Sequence, residues 1–122
     1  MLLRIDPHSA EPLFAQVAAS VRADVAAGRL RVGDRLPAAR EVASAADINL
    51  HTVLRAYQLL RDEGLVDMRR GRGAIVTEAA GALADLRGDI AALRERARAL
   101  GISIDTLASL VREGDEGKPH DD

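Results

Sequence analysis

Arginine is the residue type whose number and spacing in this sequence could do chemistry. Sixteen of the 17 basic residues are Arg, and seven of them lie between positions 35 and 72: Arg35, Arg40, Arg55, Arg61, Arg69, Arg70 and Arg72. The planar guanidinium carries a fork of donors that fits phosphate oxygens and the guanine edge. The pattern indicates a nucleic-acid contact or, as the alternative, a genome-wide preference for Arg over Lys.

Other chemistries find little support in the sequence. The chain has no Cys, and His8, His51 and His120 are far apart with no metal-ligand spacing. The carboxylate pairs fall on a predicted helix end and a loose tail, without a pocket to shift their pKa values. No nucleophile elbow or phosphate-binding loop is present. We therefore expect no enzyme activity, no metal and no cofactor.

Composition limits the class of protein. With 122 residues, 48% hydrophobic and 30% charged, the chain predicts one domain, or a smaller domain with an appendage. Phe14 and Tyr57 are the only aromatic residues, which disfavours recognition by stacked bases. The lack of Cys, of an 18-residue apolar run and of a signal peptide predicts a cytoplasmic protein without a membrane partner.

Charge differs between the two parts of the chain. Residues 1–77 carry 11 Arg against 9 acidic residues, a net charge of +2, and the remainder carries 6 basic against 10 acidic residues, a net charge of -4. This distribution allows a basic face on the first part of a protein that is acidic overall.

Periodicity predicts three helices in the first part. Apolar residues from Leu13 repeat every three to four positions until Gly28, and a turn with a brief strand follows over 28–37. A short helix over 38–46 ends at a turn on Asp47. Asn49 can cap a third helix over 50–63, whose apolar stripe is Val53, Ala56, Tyr57 and Leu60. The opposite side of the third helix is polar and bears His51, Thr52, Arg55, Gln58 and Asp62.

A β-hairpin is predicted over 66–76, with Arg70-Gly71-Arg72-Gly73 at its turn. Three helices followed by a basic hairpin make a winged helix-turn-helix over residues 1–77. In that fold the third helix enters a major groove about 12 Å wide, and the hairpin reaches a neighbouring groove. The predicted fold class is mainly α with this small hairpin, followed by a two-helix dimerisation arm.

The arm is predicted over 78–114. Its first helix has a 3-4-3-4-3 apolar seam that Gly101 ends, and Ser103 caps a second helix that Gly114 closes. Two helices as short as these cannot bury both of their apolar stripes against each other. A second copy of the chain is therefore the expected partner. The predicted interface is Leu83, Leu86, Ile90, Leu93, Ala97, Leu100, Leu107 and Leu110. Residues 115–122 are acidic and without periodicity, which predicts disorder.

Three segments together resemble the GntR family of bacterial transcription regulators. They are Gly28-x-Leu30-x-x-Gly33-Asp34-Arg35-Leu36-Pro37-x-x-Arg40-Glu41-Val42-Ala43, then Asn49-x-x-Thr52-Val53-x-Arg55-Ala56-Tyr57-x-x-Leu60-x-x-Glu63-Gly64-Leu65-Val66, then Arg70-Gly71-Arg72-Gly73. The Asn49, Thr52-Val53 and Ala56-Tyr57 pattern with the short helical tail is similar to the YtrA-like subgroup.

This resemblance implies a homodimeric regulator, a repressor, that binds double-stranded DNA at a pseudopalindromic operator. The half-sites of that operator are expected about 34 Å apart, or a multiple of that distance. The resemblance implies DNA contacts from Arg40, Asn49, Leu50, His51, Thr52, Arg55, Arg70, Gly71 and Arg72. Leu50 stands where the family has Pro or Arg, so a thymine methyl contact is expected there. Asp47 replaces the usual turn Gly, and Ala74 replaces a frequent Thr.

Two alternatives remain. A dimeric winged-helix adaptor for protein–protein interaction would need no row of arginines and would expose an apolar patch, for which Leu50, Leu54 and Leu59 are the candidates. A ligand-sensing dimer would hold an unidentified small-molecule effector between the arm helices, although no polar cluster marks a cavity there.

Overall fold

The computed structural model describes residue 1 and residues 3–116, with side chains through Gly114. The described chain contains five helices and one antiparallel hairpin, in the order α1 (Leu13–Ala26), α2 (Ala39–Ala46), α3 (Leu50–Asp62), β1 (Val66–Arg69), β2 (Gly73–Val76), α4 (Glu78–Ala99) and α5 (Ile104–Glu116). This order confirms the predicted fold class of a mainly helical winged helix-turn-helix with two further helices.

The helix-turn-helix is formed by α2 and α3. The Glu41 carboxylate accepts a 3.2 Å hydrogen bond from the Ala38 backbone N–H at the start of α2. Asp47 ends α2 in the left-handed conformation, with φ 56° and ψ 49°, as expected for the residue that replaces the usual turn Gly. Asp adopts this conformation more readily than most non-glycine residues, so the tight turn to α3 forms without Gly.

The hairpin is β1 paired with β2, from Val66 opposite Val76 to Arg69 opposite Gly73. The strand predicted within 28–37 is wrong as a regular element, because only Arg35 forms a bridge, to Ile75. Gly33 takes φ 89° and turns the chain just before Arg35. Three backbone hydrogen bonds still join residues 33–36 to β2, from Gly33 N–H to Val76, Leu36 N–H to Ala74 and Val76 N–H to Asp34.

One hydrophobic core lies between the three helices and the hairpin. The predicted stripe of α3 is fully buried, and α1 buries its own apolar stripe against it. The core also contains residues from α2, from the hairpin and from the start of α4: Val42, Ala43, Val66, Ala74, Val76 and Ala80. Burial of this apolar surface is the main stabilising force of the winged helix.

Two contacts hold α3 against the rest of the winged helix. The Tyr57 hydroxyl donates a 2.7 Å hydrogen bond to the Pro37 carbonyl, which joins α3 to the chain entering α2. Arg22 on α1 forms a bidentate pair with Glu63 at the C-terminal end of α3, with N···O distances of 2.9 and 2.5 Å. That hydrogen bond from the guanidinium to Glu63 raises the pKa of Arg22.

The chain divides into two compact units, Met1–Arg87 and the residues from Gly88 onward. In the second unit Ser103 caps α5, since its Oγ accepts a 3.1 Å hydrogen bond from the Thr106 N–H. The end predicted at Gly114 is wrong, because α5 continues to Glu116. Gly101 takes φ 79° and follows the end of α4, whereas Gly114 is not among the glycines with positive φ. Of the predicted disordered tail, residues 117–122 lie outside the described residues.

We predict that Tyr57 ionises late in the folded protein. Burial raises its pKa to about 12, and the nearby Glu41 carboxylate adds to the shift. The unfolded value is about 10, so Tyr57 contributes stability that is present below about pH 10 and is lost as the pH rises to about 12. Tyr57 is the single tyrosine, so tyrosinate absorbance measures its ionisation directly. Tyr57→Phe, the control, should lack this component of the stability profile, and a midpoint near 10 in the folded protein would contradict the prediction.

Candidate nucleic-acid interface

The start of α3 presents a polar surface on a rigid base. Asn49 caps the helix, as predicted, with Oδ1 accepting a 2.7 Å hydrogen bond from the His51 N–H. His51 is exposed and Thr52 is half-buried. With Leu13, Phe14 and Arg55 these three residues line one shallow depression of about 370 Å³. The structure therefore brings four of the predicted contact residues together.

Leu50 differs from the other residues predicted at this helix start. Its side chain is half-buried and packs against the hydrophobic core. Only the exposed part of the Leu50 side chain can contact a partner. The predicted contact with a thymine methyl group would therefore use less apolar surface than a fully exposed leucine offers, and it stays a prediction.

Arg55 lies beside the same depression and is held by an aromatic ring. Its guanidinium carbon is 3.8 Å from the centroid of the Phe14 ring, which is a cation–π contact. Phe14 comes from α1, and its place in the apolar repeat of that helix predicts only burial. The spacing of 41 positions along the chain gave no signal for this contact.

An open groove of about 660 Å³ lies between the helix-turn-helix and the hairpin. Its apolar wall includes Leu54, Tyr57 and Met68, and Arg35 and Arg72 lie along it with Glu41. Arg35 belongs to the cluster of arginines in the sequence, but it is not among the predicted DNA-contact residues. The bridge from Arg35 to Ile75 is what brings it next to the hairpin.

The hairpin tip is exposed and shaped by glycine. Arg70, Gly71 and Arg72 are exposed, and Gly71 and Gly73 take φ of 77° and 78°. These left-handed conformations make the turn tight, and they favour Gly because it lacks a Cβ. Arg70 and Arg40, which is exposed on α2, line neither of the two depressions.

The clustered arginines differ in their ion pairing. Arg61 pairs with Asp62 at 3.4 Å and Arg69 with Asp67 at 3.2 Å. Within the part of the chain that the structure describes, the other five have no carboxylate partner: Arg35, Arg40, Arg55, Arg70 and Arg72. Their positive charge is therefore free to attract a polyanion.

Within the described residues, no group of three or more His, Asp or Glu side chains could hold a metal ion. No described helix is both long and apolar enough to cross a membrane.

The arm carries exposed apolar side chains. Leu86, Ile90, Leu93, Leu100 and Leu110, all in the predicted dimer interface, have exposed fractions of 46 to 67%. The other three predicted residues are covered within one copy. Ala97 is 3% exposed, Leu83 is half-buried against the core of the first unit, and Leu107 is half-buried.

Comparison with known proteins identifies the family to which this fold belongs. The model for the family described as bacterial regulatory proteins, gntR family, matches residues 13–76, which is more than half of the chain. The chain belongs to the GntR family. The matched segment of this GntR protein runs from α1 through β2 and so contains the whole helix-turn-helix and the hairpin.

Individual relatives extend the match beyond the winged helix. The HTH-type transcriptional repressor YtrA of Bacillus subtilis is 29% identical over 119 residues, which cover 92% of this chain and 91% of that protein. The solved structure of YtrA from Sulfolobus acidocaldarius, a GntR-family transcription factor, gives a TM-score of 0.61 at 32% identity over 81% of this chain and 99% of that one. A GntR family regulator from Listeria monocytogenes gives 0.62 at 25% identity over 89% and 98%.

These relatives confirm the predicted family and its YtrA-like subgroup. The protein is a DNA-binding transcription regulator with a winged helix, and its family consists of regulators and not enzymes. The individual contact residues and the dimer interface stay predictions that rest on the geometry above.

We predict that removing the cap of α3 destabilises the winged helix. Asn49→Ala leaves the His51 N–H without its acceptor, which should cost about 1 kcal/mol of unfolding free energy. Denaturant titration followed by circular dichroism measures the loss. Asn49→Asp is the matched control, since its carboxylate can accept the same hydrogen bond. Equal midpoints for Asn49→Ala and the parent protein would show that the cap does not stabilise α3.

Proposed function

We propose that this regulator is a homodimeric repressor, acting in the cytoplasm, that binds a pseudopalindromic operator. In this proposal α3 lies in the major groove, and the hairpin lies in or near the minor groove. Arg40, the residues from Asn49 to Thr52, Arg55 and the segment from Arg70 to Arg72 contact the DNA. The observation that carries the proposal is the set of five arginines without a carboxylate partner on α2, α3, the hairpin and the segment that pairs with it.

Two features support the assignment of α3 as the reading helix. Its apolar stripe is fully used by the core, so its polar side, with His51 and Arg55, is left at the surface. An α-helix fits the width of the major groove, and Arg, Asn and Thr side chains are suited to base edges and phosphates. The repressor assignment follows the relative from Bacillus subtilis, whose name describes it as a transcriptional repressor.

The homodimer is supported by the exposed side chains of the arm. Five large apolar residues of the predicted interface are about half exposed or more in one copy, and a second copy is the partner that would remove them from water on both chains. A two-fold dimer would then set two half-sites about 34 Å apart, or a multiple of it.

The structure disfavours the adaptor alternative. That alternative requires an exposed apolar patch at Leu50, Leu54 and Leu59, but all three are half-buried. Leu50 and Leu59 pack against the core, and Leu54 lines the groove beside the hairpin. A small-molecule effector stays a prediction. An open depression in the second unit is lined by Ala91, Arg94, Glu95, Arg98, Ile102, Ser103 and Ile104, and Glu95 and Arg98 there pair with each other.

The DNA contact is tested with an operator that the protein itself selects from genomic fragments. Arg72→Ala should weaken operator binding by about 1 to 3 kcal/mol if Arg72 reads a base, or weaken binding to all sequences alike if it contacts a phosphate. In the phosphate case the slope of log affinity against log salt should fall by about 0.9. Fluorescence anisotropy over a range of salt measures both quantities.

Arg61→Ala is the control for this prediction. It removes the same charge from the same protein, but Arg61 is already paired with Asp62 and lies about 120° around α3 from Arg55 at 3.6 residues per turn. Its binding should match that of the parent protein. Equal affinities for the parent protein, Arg72→Ala and Arg61→Ala would refute the proposed DNA contact of Arg72.

The dimer is tested by charging the apolar face of the arm. Leu93 is 46% exposed in one copy, and Leu93→Asp would place an unpaired carboxylate inside the proposed interface, where burial of a charge is strongly unfavourable. Sedimentation equilibrium should then show monomers, and operator affinity should fall because the half-sites are no longer bound together. Arg87→Asp, at an exposed position about 120° around α4, should remain dimeric. A dimeric Leu93→Asp protein would contradict the proposed interface.

A further inference from the structure

The contact between Phe14 and Arg55 connects α1 to the recognition surface. Phe14 is half-buried and packs against the hydrophobic core, so its ring is fixed. Arg55 is exposed on α3, with its guanidinium 3.8 Å from the ring centroid. A long flexible cation therefore rests on a rigid aromatic surface.

Stacking leaves the guanidinium able to bind. Its five N–H donors lie in the plane of the group, so covering one face of that plane does not use them. No described carboxylate pairs with Arg55. The in-plane edge is thus available to a phosphate oxygen or a guanine while the face rests on the ring.

Stacking on the Phe14 ring also restricts where the donor edge of the Arg55 guanidinium lies. Phe14 and Arg55 line the same depression as Asn49, His51 and Thr52, which places the guanidinium beside the start of α3. A free Arg side chain would distribute over many rotamers and would lose rotamer entropy on binding. A guanidinium already stacked in the free protein has lost part of that entropy before DNA arrives.

We propose that Phe14 is a positioning residue for DNA recognition, because its ring holds the Arg55 guanidinium at the edge of the recognition helix in the conformation that binds the operator. This inference rests on the proposed function, in which Arg55 contacts DNA. Phe14 itself acts through Arg55 and need not touch DNA. The surface that decides affinity therefore extends beyond the helix-turn-helix to the first turn of α1.

The test is a double-mutant cycle on the full-length protein with its selected operator. Phe14→Leu keeps an apolar side chain on the core and removes the ring, and should weaken binding about two- to fivefold, the effect expected of an exposed cation–π contact. In an Arg55→Ala background the same change should have no further effect. Phe14→Tyr keeps the ring and should restore the affinity of the parent protein.

Two further readouts separate positioning from a structural role. Phe14→Leu should leave the salt slope unchanged, since every charge remains, whereas Arg55→Ala should lower it by about 0.9 if the contact is a phosphate. In the free protein, the NMR signals of the Arg55 side chain should move upfield in the field of the Phe14 ring and lose that shift in Phe14→Leu. Thermal melting of each variant checks that the comparison is made on folded protein.

The outcomes are distinguishable from failure of the proposed function. If the parent protein selects no DNA, or if Arg55→Ala binds like the parent, the proposed role of Arg55 fails and the inference fails with it, even with the NMR shift present. If Arg55→Ala weakens binding but Phe14→Leu has no effect, or the same effect in both backgrounds, the proposed function stands and the positioning role of Phe14 is refuted.

Discussion

Burial of one face of α3 is the constraint on which the rest of the structure depends. Val53, Ala56, Tyr57 and Leu60 lie in the core, so the helix cannot rotate about its axis without exposing them to water. The direction of the opposite, polar face follows from this burial. The bidentate pair of Arg22 with Glu63 then holds the C-terminal end of the same helix, and the hydrogen bond from Tyr57 to Pro37 holds its middle.

The distribution of charge partners explains how a protein with a net charge of -2 can present a basic surface. Some of the arginines away from that surface are neutralised locally, as Arg29 is by the buried Asp24 at 2.8 Å and Arg22 by Glu63. Those on α2, on the first half of α3 and at the hairpin tip have no carboxylate partner within the described chain. The local field there depends on nearby charges, because screening at physiological salt limits their range to about 8 Å.

The two units differ in how completely one copy of the chain buries its apolar residues. The winged helix has a continuous core that includes residues of all its elements. The arm instead exposes Ile90, Leu93, Leu100 and Leu110, and buries only Ala97 among its predicted seam residues. This contrast in burial is the basis for proposing that a second copy of the chain covers the arm.

The sequence by itself determined the elements of the winged helix, because a stripe such as Val17, Val21 and Val25 and a turn such as Gly71 with Gly73 are local signals of helix and hairpin. It did not determine that α5 passes through Gly114, since a helical glycine and a terminating one look alike until φ is known. Only the tertiary structure decided that Phe14 holds Arg55, that Arg35 joins the hairpin and that Leu50 is partly covered by the core. Periodicity records which side of one helix is apolar, whereas contacts between distant segments depend on how those sides pack together.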